Sequence, residues 1–150
     1  MSCRIIGLDP GERRIGVAIA DPTGTIASPD RYIDRTKVDL AATLIALCEE
    51  FEVSVFVIGL PIALDGSEGP SAHAARAFGS LVNEATGVTV AFQDERFTSK
   101  TADSALISGG VRRRERKEKR DQIAAAVMLQ NYLDRRRHDA RSGNQGDATN

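Results

Sequence analysis

The stretch Arg4-Ile5-Ile6-Gly7-Leu8-Asp9-Pro10-Gly11-Glu12-Arg13-Arg14-Ile15-Gly16-Val17-Ala18-Ile19-Ala20-Asp21 decides how the chain is read. Arg4–Asp9 reads as a strand that stops at Asp-Pro-Gly, and Arg14–Asp21 as a second. The short connection between them predicts a hairpin. In the second strand, alternation puts Gly16, Ala18 and Ala20 on one face and Ile15, Val17 and Ile19 on the other. A face of such small residues lets another element come close. In the first strand Ile5, Gly7 and Asp9 share a face, so a carboxylate stands at the strand's end.

Outward from this hairpin, Pro22-Thr23-Gly24 is a turn, and Thr25–Asp34 predicts a third strand, interrupted or edged at Pro29. Val38–Phe51 has helical spacing, with Ala41, Leu44, Ile45 and Cys48 on one side. Val53–Leu60 is almost unbroken in its apolar character, which suits a central strand buried on both faces. Pro61–Gly69 is rich in turn residues; its glycines and the helix start beyond could hold a phosphate on backbone N–H groups, or simply connect two elements. Ser71–Thr86 is helical, with Ala74, Phe78, Leu81, Val82 and Ala85 on one side. Val88–Asp94 alternates as a strand. Thr98–Ser108 predicts a short helix stopped by Gly109-Gly110, and Asp121–Arg137 a final helix. Residues 1–137 form one domain on this reading, and 138–150 a polar, disordered tail.

The order is three sequential strands followed by two strands reached through helices. It predicts an α/β fold with a five-stranded mixed sheet, three strands antiparallel and then two parallel, flanked by helices. That order is the ribonuclease H-like one.

The bulk properties agree. With 150 residues, 41% hydrophobic and 27% charged, the chain can build one core. No apolar run reaches the roughly 20 residues that span a bilayer, and Met1-Ser2-Cys3-Arg4 lacks the layout of a signal peptide. Cys3 and Cys48 sit in apolar surroundings without a CxxC pairing, as free thiols in a reducing compartment do. A cytoplasmic location without membrane attachment follows as the expectation. The net charge of −1 hides an asymmetry: residues 1–111 carry 9 basic and 15 acidic side chains, residues 112–150 carry 11 and 6. An acidic body with a basic C-terminal third suits a phosphodiester ligand whose phosphates sit near cation-binding carboxylates.

Three places could carry chemistry. Asp9 closes the first strand, where a turn-starting Asp is also ordinary. Asp94-Glu95-Arg96 closes the fifth; Glu95 has the longer reach toward a cation shared with Asp9. Asp121 opens the last helix, where capping is the ordinary role. Ile123-Ala124-Ala125-Ala126-Val127-Met128-Leu129 then packs that helix start against the sheet, and a carboxylate there needs a cap or a cation. Carboxylates without His or Cys suit Mg²⁺ or Mn²⁺ rather than Zn²⁺. His73 and His138 lack partners at ligand spacing, and no Ser or Cys sits in a nucleophile elbow. The run from Arg112 to Arg120 carries seven positive and two negative charges directly before Asp121. It is either a solvated loop or a phosphate-contacting one. With aromatic residues at 5% and no Trp, a stacking platform for single strands is not evident.

Four blocks together resemble the YqgF/RuvX family: Gly7-Leu8-Asp9-Pro10-Gly11-Glu12-Arg13-Arg14-Ile15-Gly16-Val17-Ala18; Gly59-Leu60-Pro61 with Asp65-Gly66-Ser67; Asp94-Glu95-Arg96-Phe97-Thr98-Ser99; and Asp121-Gln122-Ile123-Ala124-Ala125. The resemblance spans residues 4–137. It implies a ribonuclease H-like fold and metal-dependent phosphodiester cleavage. The family's catalytic and metal-binding carboxylates map onto Asp9, Glu95 and Asp121, and the metal is Mg²⁺ or Mn²⁺. Nucleic-acid contacts are expected from Arg13, Arg14, Arg96, Lys100, Arg112, Arg113, Arg114 and Lys119. The implied substrate is precursor 16S rRNA, trimmed near its 5′ end in ribosome biogenesis, with ribosomal association and a monomer or homodimer as partner states. Two departures stand out. Thr98-Ser99 replaces a frequent Thr-Thr. The second acid comes from the fifth strand, whereas junction resolvases of this fold usually place it after the fourth. The alternatives are a Holliday junction resolvase acting on four-way DNA junctions, and a non-catalytic nucleic-acid- or nucleotide-binding module.

Overall fold

The computed structural model describes residues 4–94 and 123–139. The expected helix at 98–108, the basic run at 112–120 and the tail from residue 140 lie outside the described residues. The opening hairpin forms as expected: β1 (Arg4–Pro10) and β2 (Arg14–Ala20) pair antiparallel, and Gly11 N–H donates to the Arg14 carbonyl at 2.8 Å. β3 (Ala27–Asp34) pairs antiparallel with β2. β4 (Val53–Leu60) and β5 (Thr89–Asp94) join as parallel strands, giving the order β3-β2-β1-β4-β5. β1 is therefore central, with an antiparallel neighbour on one side and a parallel one on the other.

β3 starts two residues later than expected. The N–H groups of Thr25 and Ile26 donate to the Asp21 carboxylate, at 2.7 and 2.9 Å, rather than to a ladder. At Pro29, which has no N–H, the register slips: Val17 faces Arg31 but Ala18 faces Pro29. A bulge on an edge strand accommodates that residue.

α1 (Leu40–Phe51) also begins later than the periodicity suggests, because Asp39 caps it by accepting from Ala42 N–H at 3.2 Å. It ends at Glu52, in the left-handed region at φ 50°. Leu44 and Leu47 point inward, and Ile45, expected inside, is exposed. Cys48 is free and half-buried; burial first, then the charge of Glu49, push its thiol above the ordinary range.

α2 (Pro70–Thr86) starts on a proline and ends at Gly87, whose φ of 72° favours glycine. Its buried stripe is Ala72, Ala75, Phe78, Gly79 and Val82, rotated from the expected one, so Ala74 and Leu81 face outward. Small residues govern that rotation. A Cβ on Gly79 would lie 2.6 Å from the Phe92 ring, so the helix rests on β5 through a glycine.

Residues 123–139 form α3, which runs two residues past the expected end. The helices cover different faces. Ile6, Leu8, Ile15, Val17, Phe56 and Ile58 pack under α1 and α2 with Leu44, Leu47, Phe78 and Val82. Ile5, Ala18, Ala20 and Val57 pack under α3 with Ala125, Met128, Leu129 and Leu133. The small face foreseen along β2 is the face α3 occupies.

Candidate active site at the carboxyl edge of the sheet

Asp9 is the penultimate residue of β1 and pairs with Gly16 across the hairpin. Gly7, two residues earlier, shares its face and lies beneath α3. A Cβ at Gly7 would stand 3.0 Å from Leu129 Cβ and 3.4 Å from the Ala125 carbonyl. The first turns of α3 thus cross β1 just before Asp9. Asp9 itself is half-buried, and its carboxylate has no hydrogen-bond or ion-pair partner among the described residues. A carboxylate so placed offers hard oxygen donors of the kind Mg²⁺ and Mn²⁺ take. Among the described residues no group of three His, Cys, Asp or Glu side chains comes together. The other two expected ligands, Glu95 and Asp121, lie outside the described residues.

The register assigns a face to Asp94, the acid that closes β5. Gln93 pairs with Gly59, and Asp94 pairs with Leu60. Leu60 packs against Ala72 and Ala75 of α2. Asp94 therefore belongs to the α2 side of the sheet, whereas Asp9 belongs to the α3 side.

Of the expected nucleic-acid contacts, two are described. Arg13 pairs with Asp34 at 3.2 Å and keeps 61% of its side chain exposed, enough to meet a phosphate. Arg14 lays its guanidinium over the Tyr32 ring, 5.2 Å from the centroid. Arg96, Lys100, Arg112, Arg113, Arg114 and Lys119 lie outside the described residues. The Asp34 carboxyl is held below its usual range, first by the Thr36 hydroxyl and with Arg13 adding to the effect.

The loop after β4 is braced in part from within. Three of its N–H groups are used internally: Ala63 donates to the Ser67 carbonyl, Gly66 to the Ala63 carbonyl and Ser67 to the Asp65 carboxylate. Pro70, at the helix start, has none. Glu68 is clamped by both arms of Arg76, at 2.6 and 2.9 Å, and Arg76 lies over Phe92. The loop is pinned to α2 as a structural connection.

The family model described as "RuvX: Holliday junction resolvase" matches residues 3–135. The chain belongs to the RuvX family. A relative from Lactococcus lactis subsp. cremoris (strain MG1363) is 41% identical over 140 residues, spanning 89% of this chain and 96% of the relative. One from Syntrophomonas wolfei subsp. wolfei is 44% identical over 133 residues, spanning 87% and 94%. Each of those two bears the name "Putative pre-16S rRNA nuclease". Among solved structures, T. thermophilus RuvC in complex with Holliday junction substrate is similar with a TM-score of 0.55 at 13% identity, covering 91% of this chain and 96% of that one. The fold of this RuvX-family chain is accordingly the ribonuclease H-like one that its strand order predicts.

One residue of this RuvX-family chain stands out that sequence reading passed over. Arg35 donates its backbone N–H to the Arg13 carbonyl at 2.9 Å and its guanidinium to the Gly11 carbonyl at 3.1 Å. The same guanidinium lies over the Phe78 ring, 5.4 Å from the centroid. It ties the turn that follows Asp9 to α2. A lone Arg in the polar stretch Asp34-Arg35-Thr36-Lys37 belongs to no motif, and only the meeting of β3, the hairpin and α2 reveals its position. Among the described residues, no helix is long and apolar enough to cross a membrane.

Proposed function

We propose that this RuvX-family chain is a divalent-metal-dependent nuclease that hydrolyses phosphodiester bonds in precursor 16S rRNA near its 5′ end. The observation that carries this reading is Asp9: a carboxylate with no described partner, next to last in the central strand, on the face that α3 covers. The relatives' name supports the substrate.

Glu95 directly follows Asp94, the last residue of β5, along the chain. Asp121 precedes the described start of α3 by two positions, close along the chain to the turns that cross β1. Asp9, Glu95 and Asp121 would together hold two Mg²⁺ or Mn²⁺ ions. Bound there, the metal supplies an acidified water and charge neutralisation of the leaving oxygen. Arg13, Arg14, Arg96, Lys100, Arg112, Arg113, Arg114 and Lys119 would hold the phosphate backbone across this edge. Such a substrate implies work in the cytoplasm beside assembling ribosomes, by a monomer or a homodimer.

The family model's description favours a second reading, cleavage of a four-way DNA junction. The two separate in one assay. An RNA spanning the 5′ end of the precursor and a four-way junction are each incubated with Mg²⁺ or Mn²⁺, with and without chelator, using wild type and Asp9→Asn. Metal-dependent cutting of the RNA that Asp9→Asn abolishes is the expected result. Symmetric cutting of the junction alone, by a dimer, would transfer the assignment to a resolvase. Normal RNA cutting by Asp9→Asn would overturn the carboxylate mechanism.

A further inference from the structure

We infer that the cavity between the β1–β2 turn and α2 receives an unpaired nucleobase of the substrate strand, with Arg35 as the residue that selects it. This inference rests on the nucleic-acid reading above and specifies which part of the substrate lies on the second side of the sheet edge. The cavity holds about 420 Å³ and is lined by Pro10, Gly11, Glu12, Arg35, Ser71 and Phe78, among others. Its size falls within the range of small-ligand sites. Pro10 and Gly11 directly follow Asp9, so the cavity begins one residue from the proposed scissile position. Asp9 serves the α3 face, and the cavity opens on the α2 face.

The lining chemistry distinguishes a base from a phosphate. Glu12 and Arg35, an acid and a base, both line the cavity. A phosphate would gain from one and be repelled by the other. A neutral, flat heterocycle suits both: its face can stack on a guanidinium plane, and its edge can donate to Glu12 and exchange hydrogen bonds with the Ser71 hydroxyl. Pro10 and Phe78 supply apolar wall. Arg35 is held in advance by the Gly11 carbonyl and the Phe78 ring, so little side-chain freedom remains to be lost on binding. A base can enter only if it is unpaired, which favours single-stranded RNA flanking the cut over a fully paired duplex.

The test is an NMR titration of the ¹⁵N-labelled full-length chain, without metal, with each of the four ribonucleosides and, in parallel, with ribose 5-phosphate. At least one nucleoside is expected to shift the Gly11, Ser71 and Phe78 amides saturably, and ribose 5-phosphate to leave them in place. Ala74→Leu places bulk at the exposed rim of the cavity without touching the core. It should weaken nucleoside binding roughly tenfold or more, at unchanged thermal stability. Arg35→Lys keeps the charge and removes the plane, and should weaken it about fivefold or more, as loss of base stacking does. Absence of saturable shifts, equal shifts from ribose 5-phosphate, or an Ala74→Leu chain that binds like wild type would each overturn the inference. The readout involves no cleavage. A chain that binds nucleosides here but cuts no RNA loses the nuclease reading and keeps this one; a chain that cuts RNA but binds no nucleoside does the reverse.

Discussion

The two faces of the sheet differ in the share of small residues beneath their helices. Under α1 and α2 lie Ile6, Leu8, Ile15, Val17, Phe56 and Ile58, with one close glycine contact where Gly79 meets Phe92. Under α3 lie Gly7, Ala18 and Ala20 beside Ile5 and Val57, and at Gly7 the helix sits almost on the strand. The first face supplies most of the apolar burial, at about 1.5–3 kcal/mol for each large side chain. The second gives up burial for proximity. It brings the start of α3 against the strand that ends in Asp9. One face holds the fold together, and the other holds two distant parts of the chain at one place.

The sharpest way to break this contrast is to separate chemistry from stability. Asp9→Asn should reduce cleavage of the precursor RNA on the order of 10³-fold or more. Thermal unfolding should hardly move, because Asp9 has no partner among the described residues to lose. A large drop in melting temperature would instead make Asp9 a structural residue.

Next, the faces should respond to opposite kinds of substitution. Phe56→Ala, on the fully buried α1/α2 side, should lower unfolding free energy by about 3–5 kcal/mol in denaturant titration. Gly7→Val, on the α3 side, should lower it by about 1–3 kcal/mol through overpacking. Yet Gly7→Val should harm cleavage more at temperatures where both variants are folded, since it displaces α3. Equal residual activity would show that close approach is not needed for the site.

A double-mutant cycle sharpens the same point. Gly7→Ala puts a methyl 3.0 Å from Leu129 Cβ, an atom that cannot swing aside because it belongs to the helix frame. Leu129→Ala leaves that Cβ in place but frees the space beyond it, so α3 can settle. The coupling should be about 0.5–3 kcal/mol, with Gly7→Ala better tolerated in the Leu129→Ala background. Strict additivity would mean that the two positions do not press on each other.

Smaller effects belong to the surface. Arg13→Ala breaks an exposed pair with Asp34 and should change stability by less than about 1 kcal/mol. If Arg13 meets a phosphate, the salt dependence of RNA binding should fall by about one unit of slope. The smallest effect concerns Asp21. Backbone N–H groups of Ile26 and Thr25 and the Thr23 hydroxyl draw its pKa down from 3.8 to about 2. A lowered folded-state pKa adds stability that is complete above the unfolded value and fades as pH falls from near 3.8 toward 2. Asp21→Asn should therefore flatten the acid limb of a stability–pH curve in that window and leave its shape above pH 5 unchanged.

Much of this was legible along the chain. Alternation in Arg14–Asp21 separates a small face from a large one, and α3 lies on the small face. The long apolar run Val53–Leu60 reads as a central parallel strand, and it pairs with parallel neighbours at the sheet's interior. Local competition was harder to see. Asp39 and Asp21 each take backbone N–H groups that periodicity assigns to a helix or a strand. On α2, Leu81 looks like core by spacing, yet Gly79 is the residue that faces Phe92, because contact distance outweighs hydrophobicity there.

Period-2 and period-3.6 patterns, turn residues and a carboxylate at a strand end are local properties, so the sequence by itself determined the order of the described strands and helices, the mixed sheet and the candidacy of Asp9. Register and contact are not local. Only the tertiary structure assigned Asp94 to the α2 side and Asp9 to the α3 side, by pairing Asp94 with Leu60 and leading Gly7 beneath Leu129. Only it joined Arg35 to Gly11 and Phe78. These relations depend on how elements far apart in sequence slide and stack on one another, and that is settled by the summed packing of the whole sheet rather than by any one segment.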